Sequence, residues 1–470
     1  MKTNFRKLTF AFAMVLASVS VMADDVTVLS LKANDDATLS GMSNNGKWAV
    51  GYAFDNSDNA ATNINASVWN LETGERTVLT PAEEGPSEAN CISNDGTVIG
   101  GAYLGEPAYY KDGKWTALQK LDGYTMGVVK AMAITDTDTI FVGYIMNDAT
   151  ATLAEAVKWT NGVVDYVNPE DFTFDKYGEL AQVNTCWDIS EDGKTILGSM
   201  EFNAKPHQSA FIATEDDIYL INTKNDYNYN LSFIFTPKMS ANGKYVVGSF
   251  WDVKYAAGDT IPYKDMYQPC IFDIETQRLQ VLECDFESGA WDVDNNGNIY
   301  INSPVETNPI RQAYIYKENS YIEIERILRP AGITQEQIEE IAGNYNEEGN
   351  DNLGTILAVS ADGLTIIGCA GECKTYNWVA KLPKTLYELD VEVGTPVISY
   401  DNLAAYYVDG NIILSGMVDA IEVYDINGAL IMNQNVESAF VPAQLENGMY
   451  IVKMYNNTTN TISTSKIIVK

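Results

Sequence analysis

The stretch Ile92-Ser93-Asn94-Asp95-Gly96-Thr97-Val98-Ile99-Gly100-Gly101 decides the fold. Asp-Gly set between apolar runs is a strong short-range hairpin signal, because both turn residues tolerate positive φ. Ser93, three positions before the turn glycine, is spaced to hydrogen-bond the turn backbone. The phrase recurs as Met42-Ser43-Asn44-Asn45-Gly46, Ile134-Thr135-Asp136-Thr137-Asp138 and Ile189-Ser190-Glu191-Asp192-Gly193. It returns again as Met239-Ser240-Ala241-Asn242-Gly243, Val293-Asp294-Asn295-Asn296-Gly297 and Val359-Ser360-Ala361-Asp362-Gly363. That makes seven copies, spaced 50, 42, 55, 50, 54 and 66 residues apart.

Each copy runs on into an apolar stretch ending at Gly51, Gly101, Gly143, Gly198, Gly248, Asn302 or Gly368. An aromatic strand follows, with Trp69, Tyr110, Trp159, Phe211, Phe272, Tyr316 or Trp378, and then a fourth strand such as Arg76 to Leu79. Four antiparallel strands per repeat cannot bury both faces alone, so the units must stack on one another. The sequence therefore predicts an all-β chain whose first part, residues 24–388, is a seven-bladed β-propeller. The strand Val26 to Leu31 is expected to complete the last blade and close the ring.

The phrase Ala89-Asn90-Cys91-Ile92-Ser93-Asn94-Asp95-Gly96 through Gly101 resembles extracellular HAF-type repeats, and more loosely the blades of TolB-like and WD40-like propellers. That resemblance implies an extracellular propeller with no common reaction. Before the last repeat, Thr334 and Gln337 predict a capping box opening a helix to Ala342. After Pro383 the repeat phrase is gone and short strands follow: Ala404–Val408, Ile412–Ser415, Ile421–Asp425, Met449–Tyr455 and Ser465–Lys470. The hairpin Asp425-Ile426-Asn427-Gly428, the phrase Leu445-Glu446-Asn447-Gly448-Met449-Tyr450 and the ending Lys466-Ile467-Ile468-Val469-Lys470 resemble a type A C-terminal sorting domain of type IX secretion in Bacteroidetes-like bacteria. That likeness implies an Ig-like β-sandwich over residues 389–470 and an outer-membrane or cell-surface association.

The N-terminus reads as a signal peptide, residues 1–23: Lys2, Arg6 and Lys7 precede an apolar run, and Val21-Met22-Ala23 is a small-residue cleavage site. The run is short for a transmembrane helix, and no later segment is long enough to be one. The expected location is periplasmic, cell-surface or extracellular. The chain has 470 residues and a net charge of −34; cleavage leaves 27 basic against 64 acidic residues, a net of −37. Such acidity excludes nucleic acid as a partner, since few cations are available to replace phosphate counterions. A single histidine, His207, argues against a Ser-His-Asp triad and against His-rich metal sites, and no cofactor or metal is expected. Six cysteines permit disulfides; Cys270/Cys284 and Cys369/Cys373 are the local pairs, while Cys91 and Cys186 read as free thiols in strands.

Two sets of residues are candidates for function. On the face opposite the Asp-Gly turns, Tyr103, Tyr227, Tyr229, Trp251 and Tyr255 are expected to take a glycan or protein ligand, with the loop from Phe250 to Gln268 the foremost candidate. Five positions before the turn glycine stand Gly41, Cys91, Ala133, Asp188, Lys238, Asp292 and Ala358. Asp188, Lys238 and Asp292 thus fall at equivalent positions of adjacent blades, as an acid/base group or an ion-pair network at the channel. The preferred reading is a binding or scaffold module; the alternative is a carbohydrate-active hydrolase or lyase using those carboxylates.

Overall fold

The computed structural model describes residues 26–31, 37–54, 64–79, 85–147, 154–167, 180–202, 208–221, 237–255, 262–282, 286–303, 312–317, 320–329, 353–370, 376–393, 404–408, 410–415, 418–436, 440–456 and 461–469, with positions 284, 331, 333, 334, 337 and 338 between them. Among these residues the chain forms seven four-stranded antiparallel units in sequence order, the third and fourth joined by one parallel bridge between Ala154 and Val183. The first unit is typical, with strands Ala37–Met42, Trp48–Phe54, Ile64–Asn70 and Arg76–Val78 paired in order. In the last unit the outermost strand is Thr27–Ser30, which pairs with Tyr376–Lys381. The N-terminal strand therefore closes the ring, as its sequence predicts.

The core consists of seven inter-blade clusters. Each joins one unit to the next, from Val50, Ala66 and Ile99 between the first and second to Leu39, Trp69 and Ile367 between the seventh and first. Trp69, Trp159, Phe211 and Trp378, the aromatic residues of the third strands, are all fully buried. Truncating any of these tryptophans to Ala should cost roughly 3–5 kcal/mol. The Trp159 and Trp378 Nε1–H groups donate to the Gln119 and Leu353 carbonyls at 2.7 Å. These aromatics hold the blades together and are not ligand platforms.

The repeat glycines have a physical cause. The innermost strand of a blade carries a β-bulge, between Leu39 and Gly41 in the first unit and between Ala89 and Cys91 in the second. Gly101 lies across from the bulge, and a Cβ there would overlap the Glu88 carbonyl oxygen. The repeat turns are wider than two-residue hairpins. Ser93 N–H reaches the Val98 carbonyl at 2.9 Å, and only Gly96 has positive φ (75°). Asp95 instead holds the turn by side chain, accepting from Ser93 Oγ at 2.6 Å and Thr97 N–H at 3.0 Å. Two-residue turns with both residues at positive φ do occur elsewhere, at Asp112-Gly113 and Asn161-Gly162.

The turns also bond to one another. Asn45 donates its backbone N–H and Nδ2 to Asn94 Oδ1 and O, at 3.0 and 2.8 Å. Asn94 Nδ2 reaches Glu191 Oε1 at 3.1 Å, and Glu191 N–H donates to the Ala241 carbonyl at 2.7 Å. Asn242 repeats the two-bond pattern on Asn295, whose N–H donates to Ala361 O, and Ala361 N–H closes the belt on Asn44 O. The third unit is bypassed because its turn is shorter, with Thr135 N–H already bonded to Asp138 O.

Two sequence expectations need correcting. Cys270 and Cys284 are both free, because they pack in different inter-blade clusters; Cys284 Sγ lies 2.9 Å from Phe286 O. Cys369 is disulfide-bonded, as the expected local pair requires, and Cys373 lies outside the described residues. The stretch from Phe250 to Gln268 is largely paired strand and not a loop, since Tyr245–Tyr255 and Pro262–Asp273 continue pairing through Trp251↔Tyr267 and Tyr255↔Pro262. The capping box at Thr334 and Gln337 is present, with reciprocal bonds of 2.9 and 3.2 Å. A second one, missed in sequence, joins Thr385 and Glu388 and opens the helix Leu386–Val393.

Beyond this helix, strands Ala404–Val408, Asn411–Ser415 and Phe440–Pro442 form one sheet, and four strands from Ala420 to Val469 form another. They share a single core of Ala405, Ile412, Ile421, Val423, Val452 and Ile467 among others, the two-layer arrangement of a sandwich. The strands Leu430–Asn435 and Phe440–Pro442 had no sequence signal strong enough to predict them.

Candidate functional site: the central channel

The innermost strands of all seven units line one cavity of about 300 Å³. Its wall runs from Gly41, Cys91, Ala131, Asp188, Asp292 and Ala358 beside the bulges, with Lys238 at the equivalent register of the fifth unit, to the turn residues Asn44, Asn94 and Glu191. The cavity thus extends to the Asp-Gly turn face, not only toward the opposite loops. Counting back from the turn glycine misplaces one position. In the third unit the turn is short and the bulge lies between Val129 and Ala131, so Ala131, not Ala133, is the equivalent residue. The signal that finds it is Gly143, which pairs with Val129 as Gly101 pairs with Ala89.

The structure brings Asp188, Lys238 and Asp292 together at this level. Asp188 accepts its own neighbour's N–H (Ile189, 2.9 Å) on Oδ1 and Met239 N–H of the next unit (3.1 Å) on Oδ2. Asp292 does the same with Val293 N–H (2.8 Å) and Val359 N–H (2.7 Å). The innermost strand is an edge strand, and these carboxylates satisfy amides that no ladder partner reaches. Burial raises the pKa of both, and Lys238 opposes the rise; Asp292 is pushed up to about 7. Among the described residues neither carboxylate forms an ion pair within 4 Å of Lys238.

Lys130, the bulged residue of the third unit, was not singled out by the sequence. Its Nζ lies 5.9 and 6.0 Å from the ring centres of Tyr144 and Trp187, and it lines the same cavity. Burial lowers its pKa, against the pull of Glu88, and repulsion from Lys238 adds to the lowering. Asn90 Nδ2 bridges Glu88 Oε1 and the Val129 carbonyl, both at 3.1 Å. Burial pushes the Cys91 thiol up to about 12, so it is not a nucleophile at neutral pH. No cluster of three or more His, Cys, Asp or Glu suited to a metal is found among the described residues.

On the opposite face only part of the expected aromatic set is described. Tyr103 is half-buried and stacks on Trp115, with ring centres 6.0 Å apart and planes 4° from parallel. Trp251 and Tyr255 stand on the extended hairpin at paired positions, and nothing is described of their side chains. Tyr227, Tyr229 and His207 lie outside the described residues.

Residues 407–470 match the secretion system C-terminal sorting domain family. The chain thus carries the C-terminal signal of proteins exported to the cell surface or extracellular space. No protein of curated function matches the sequence. Among solved structures, the chain is similar to PorZ, a surface component of the type IX secretion system of Porphyromonas gingivalis, at 13% identity and TM-score 0.43, covering 92% of this chain and 59% of that one. It is also similar to TolB from Acinetobacter baumannii, at 13% identity and TM-score 0.35, covering 57% of this chain and 61% of that one. An oligogalacturonate lyase in complex with manganese aligns at 11% identity and TM-score 0.47, over 77% of this chain and 98% of that one. The chain therefore spans about three fifths of the TolB and PorZ chains. No helix among the described residues is long and apolar enough to cross a membrane.

Proposed function

We propose that this is an exported surface protein acting as a binding or scaffold module: a signal peptide over residues 1–23, a propeller over 24–388 and an Ig-like sandwich over 389–470. The observation that carries this reading is the use of the channel carboxylates. All four oxygens of Asp188 and Asp292 accept backbone amides, one on each aspartate from the next blade, which fits a structural role better than general acid/base work. The loop face opposite the turns is the contact surface for a glycan or a protein, and the Tyr103–Trp115 stack and the paired hairpin carrying Trp251 and Tyr255 support it. The test is a glycan array and pull-down with Tyr103→Ala and the double variant Trp251→Ala/Tyr255→Ala, expected to lose binding. Unchanged binding in both would refute the loop-face site. A glycan-cleaving activity that disappears in Asp188→Asn and Asp292→Asn would instead favour the enzyme.

A further inference from the structure

The channel contains a pairing that folding alone does not require. Lys130 and Lys238 line one cavity and repel each other, and among the described residues neither lies in an ion pair with a carboxylate. Lys130 Nζ lies over the Tyr144 and Trp187 rings, and both lysines face the cavity wall. In a chain with 30 basic and 64 acidic residues, two cations meet in one enclosed space, beside Asp188 and Asp292 at the same level and Asp95 and Glu191 nearer the turns.

We infer that the channel is a binding site for a small hydroxylated carboxylate of the sugar-acid class, whose carboxylate is held by Lys130 and Lys238 and whose hydroxyls donate to Asp188 and Asp292.

The chemistry of the wall selects this class. Two ammonium groups offer an anion its partners, but the wall also holds Asp95, Asp188, Glu191 and Asp292, which a doubly charged phosphate would face. A monoanion carrying hydroxyls meets both demands, because each aspartate oxygen accepts one backbone N–H and retains a lone pair for a hydroxyl donor. Asn90 lines the same cavity and adds amide hydrogen-bonding capacity. The volume of about 300 Å³ is at the lower end of small-molecule sites and fits a single sugar ring. The site is separate from the loop face and stands or falls independently of it.

The experiment is calorimetric titration of the full exported chain with D-glucuronate, D-glucose and inorganic phosphate. Glucuronate should bind saturably one to one, and glucose, which lacks the carboxylate, should not. Lys238→Met and Lys130→Met should each weaken glucuronate binding about tenfold or more, the loss expected for a charged hydrogen bond. Lys238→Arg, which keeps the charge, should stay close to the parent. Circular dichroism checks that each variant is folded, and Lys130→Met alone carries the test if Lys238→Met is not. The inference is overturned by no saturation up to about 10 mM glucuronate, by equal binding of glucose, by folded methionine variants that bind like the parent, or by phosphate binding tighter than glucuronate.

Discussion

Asp292→Asn probes the channel most directly, because the aspartate carries two opposing energies. Its carboxyl is buried, with a pKa raised to about 7, against about 3.9 in an unfolded chain. Between those values the folded protein keeps a proton that the unfolded chain has released. Stability therefore falls as pH rises from about 4 to 7 and levels off above, by about 1.4 kcal/mol per pH unit within the window. From pH 5 to pH 8 this one group removes roughly 2–3 kcal/mol. Asparagine does not titrate, so the variant lacks that slope. It also has one acceptor oxygen for two amides, Val293 N–H and Val359 N–H, and leaves one of them facing an NH₂ group at a cost of about 1–3 kcal/mol. The parent should therefore be clearly more stable than the variant at pH 5, and the gap should close by roughly 2–3 kcal/mol at pH 8. Urea unfolding of both proteins at pH 5, 6, 7 and 8 reads the difference directly, with other titrating groups cancelling. A gap independent of pH, or one that widens toward pH 8, would refute both the raised pKa and the bridging role.

The bulge account of the repeat glycines predicts unequal glycine substitutions. Gly101→Ala should lower stability by about 3 kcal/mol through overlap with the Glu88 carbonyl; Gly113→Ala, at φ 81° with open space around it, should cost about 1 kcal/mol. Similar urea midpoints for the two would show that the bulge does not set the requirement. Thr385→Ala should remove the capping box of the Leu386–Val393 helix and cost about 1 kcal/mol, with Thr385→Ser close to the parent; equal midpoints for all three would mean the cap is not used.

Much of the ring was readable because each repeat writes its own register. Turn glycines, third-strand aromatics such as Trp69 and Trp159, and the closing strand Thr27–Ser30 all follow from period and turn chemistry. What the sequence could not reveal was the bulge, because one extra residue in an innermost strand changes no hydrophobic pattern. The short turn of the third unit puts Ala133 in place of Ala131, and the hidden bulge left Lys130 unnoticed. The Cys270/Cys284 pairing failed because closeness in sequence says nothing about which inter-blade cluster a strand residue enters. The helix Leu386–Val393 was missed although Thr385 and Glu388 have the spacing of a capping box, because its mixed residues give no strong apolar stripe.

The ring position itself points to where specific chemistry lies. Folding asks the same of this ring position in every unit, yet the seven residues there fall into two arcs. Ala358, Gly41, Cys91 and Ala131 are small and uncharged across four consecutive units, while Asp188, Lys238 and Asp292 are charged across the other three. Satisfying strand-edge amides explains the two aspartates, and Lys238 between them opposes the rise that burial imposes on both carboxyls. Lys130 departs from its arc: it is a cation on a bulge where the sixth unit has Trp291 and the first has Ser40. Burying two like charges toward one cavity costs stability unless an anion sits between them. Lys130, rather than the more conspicuous carboxylates, is therefore the residue that a folding requirement leaves unexplained.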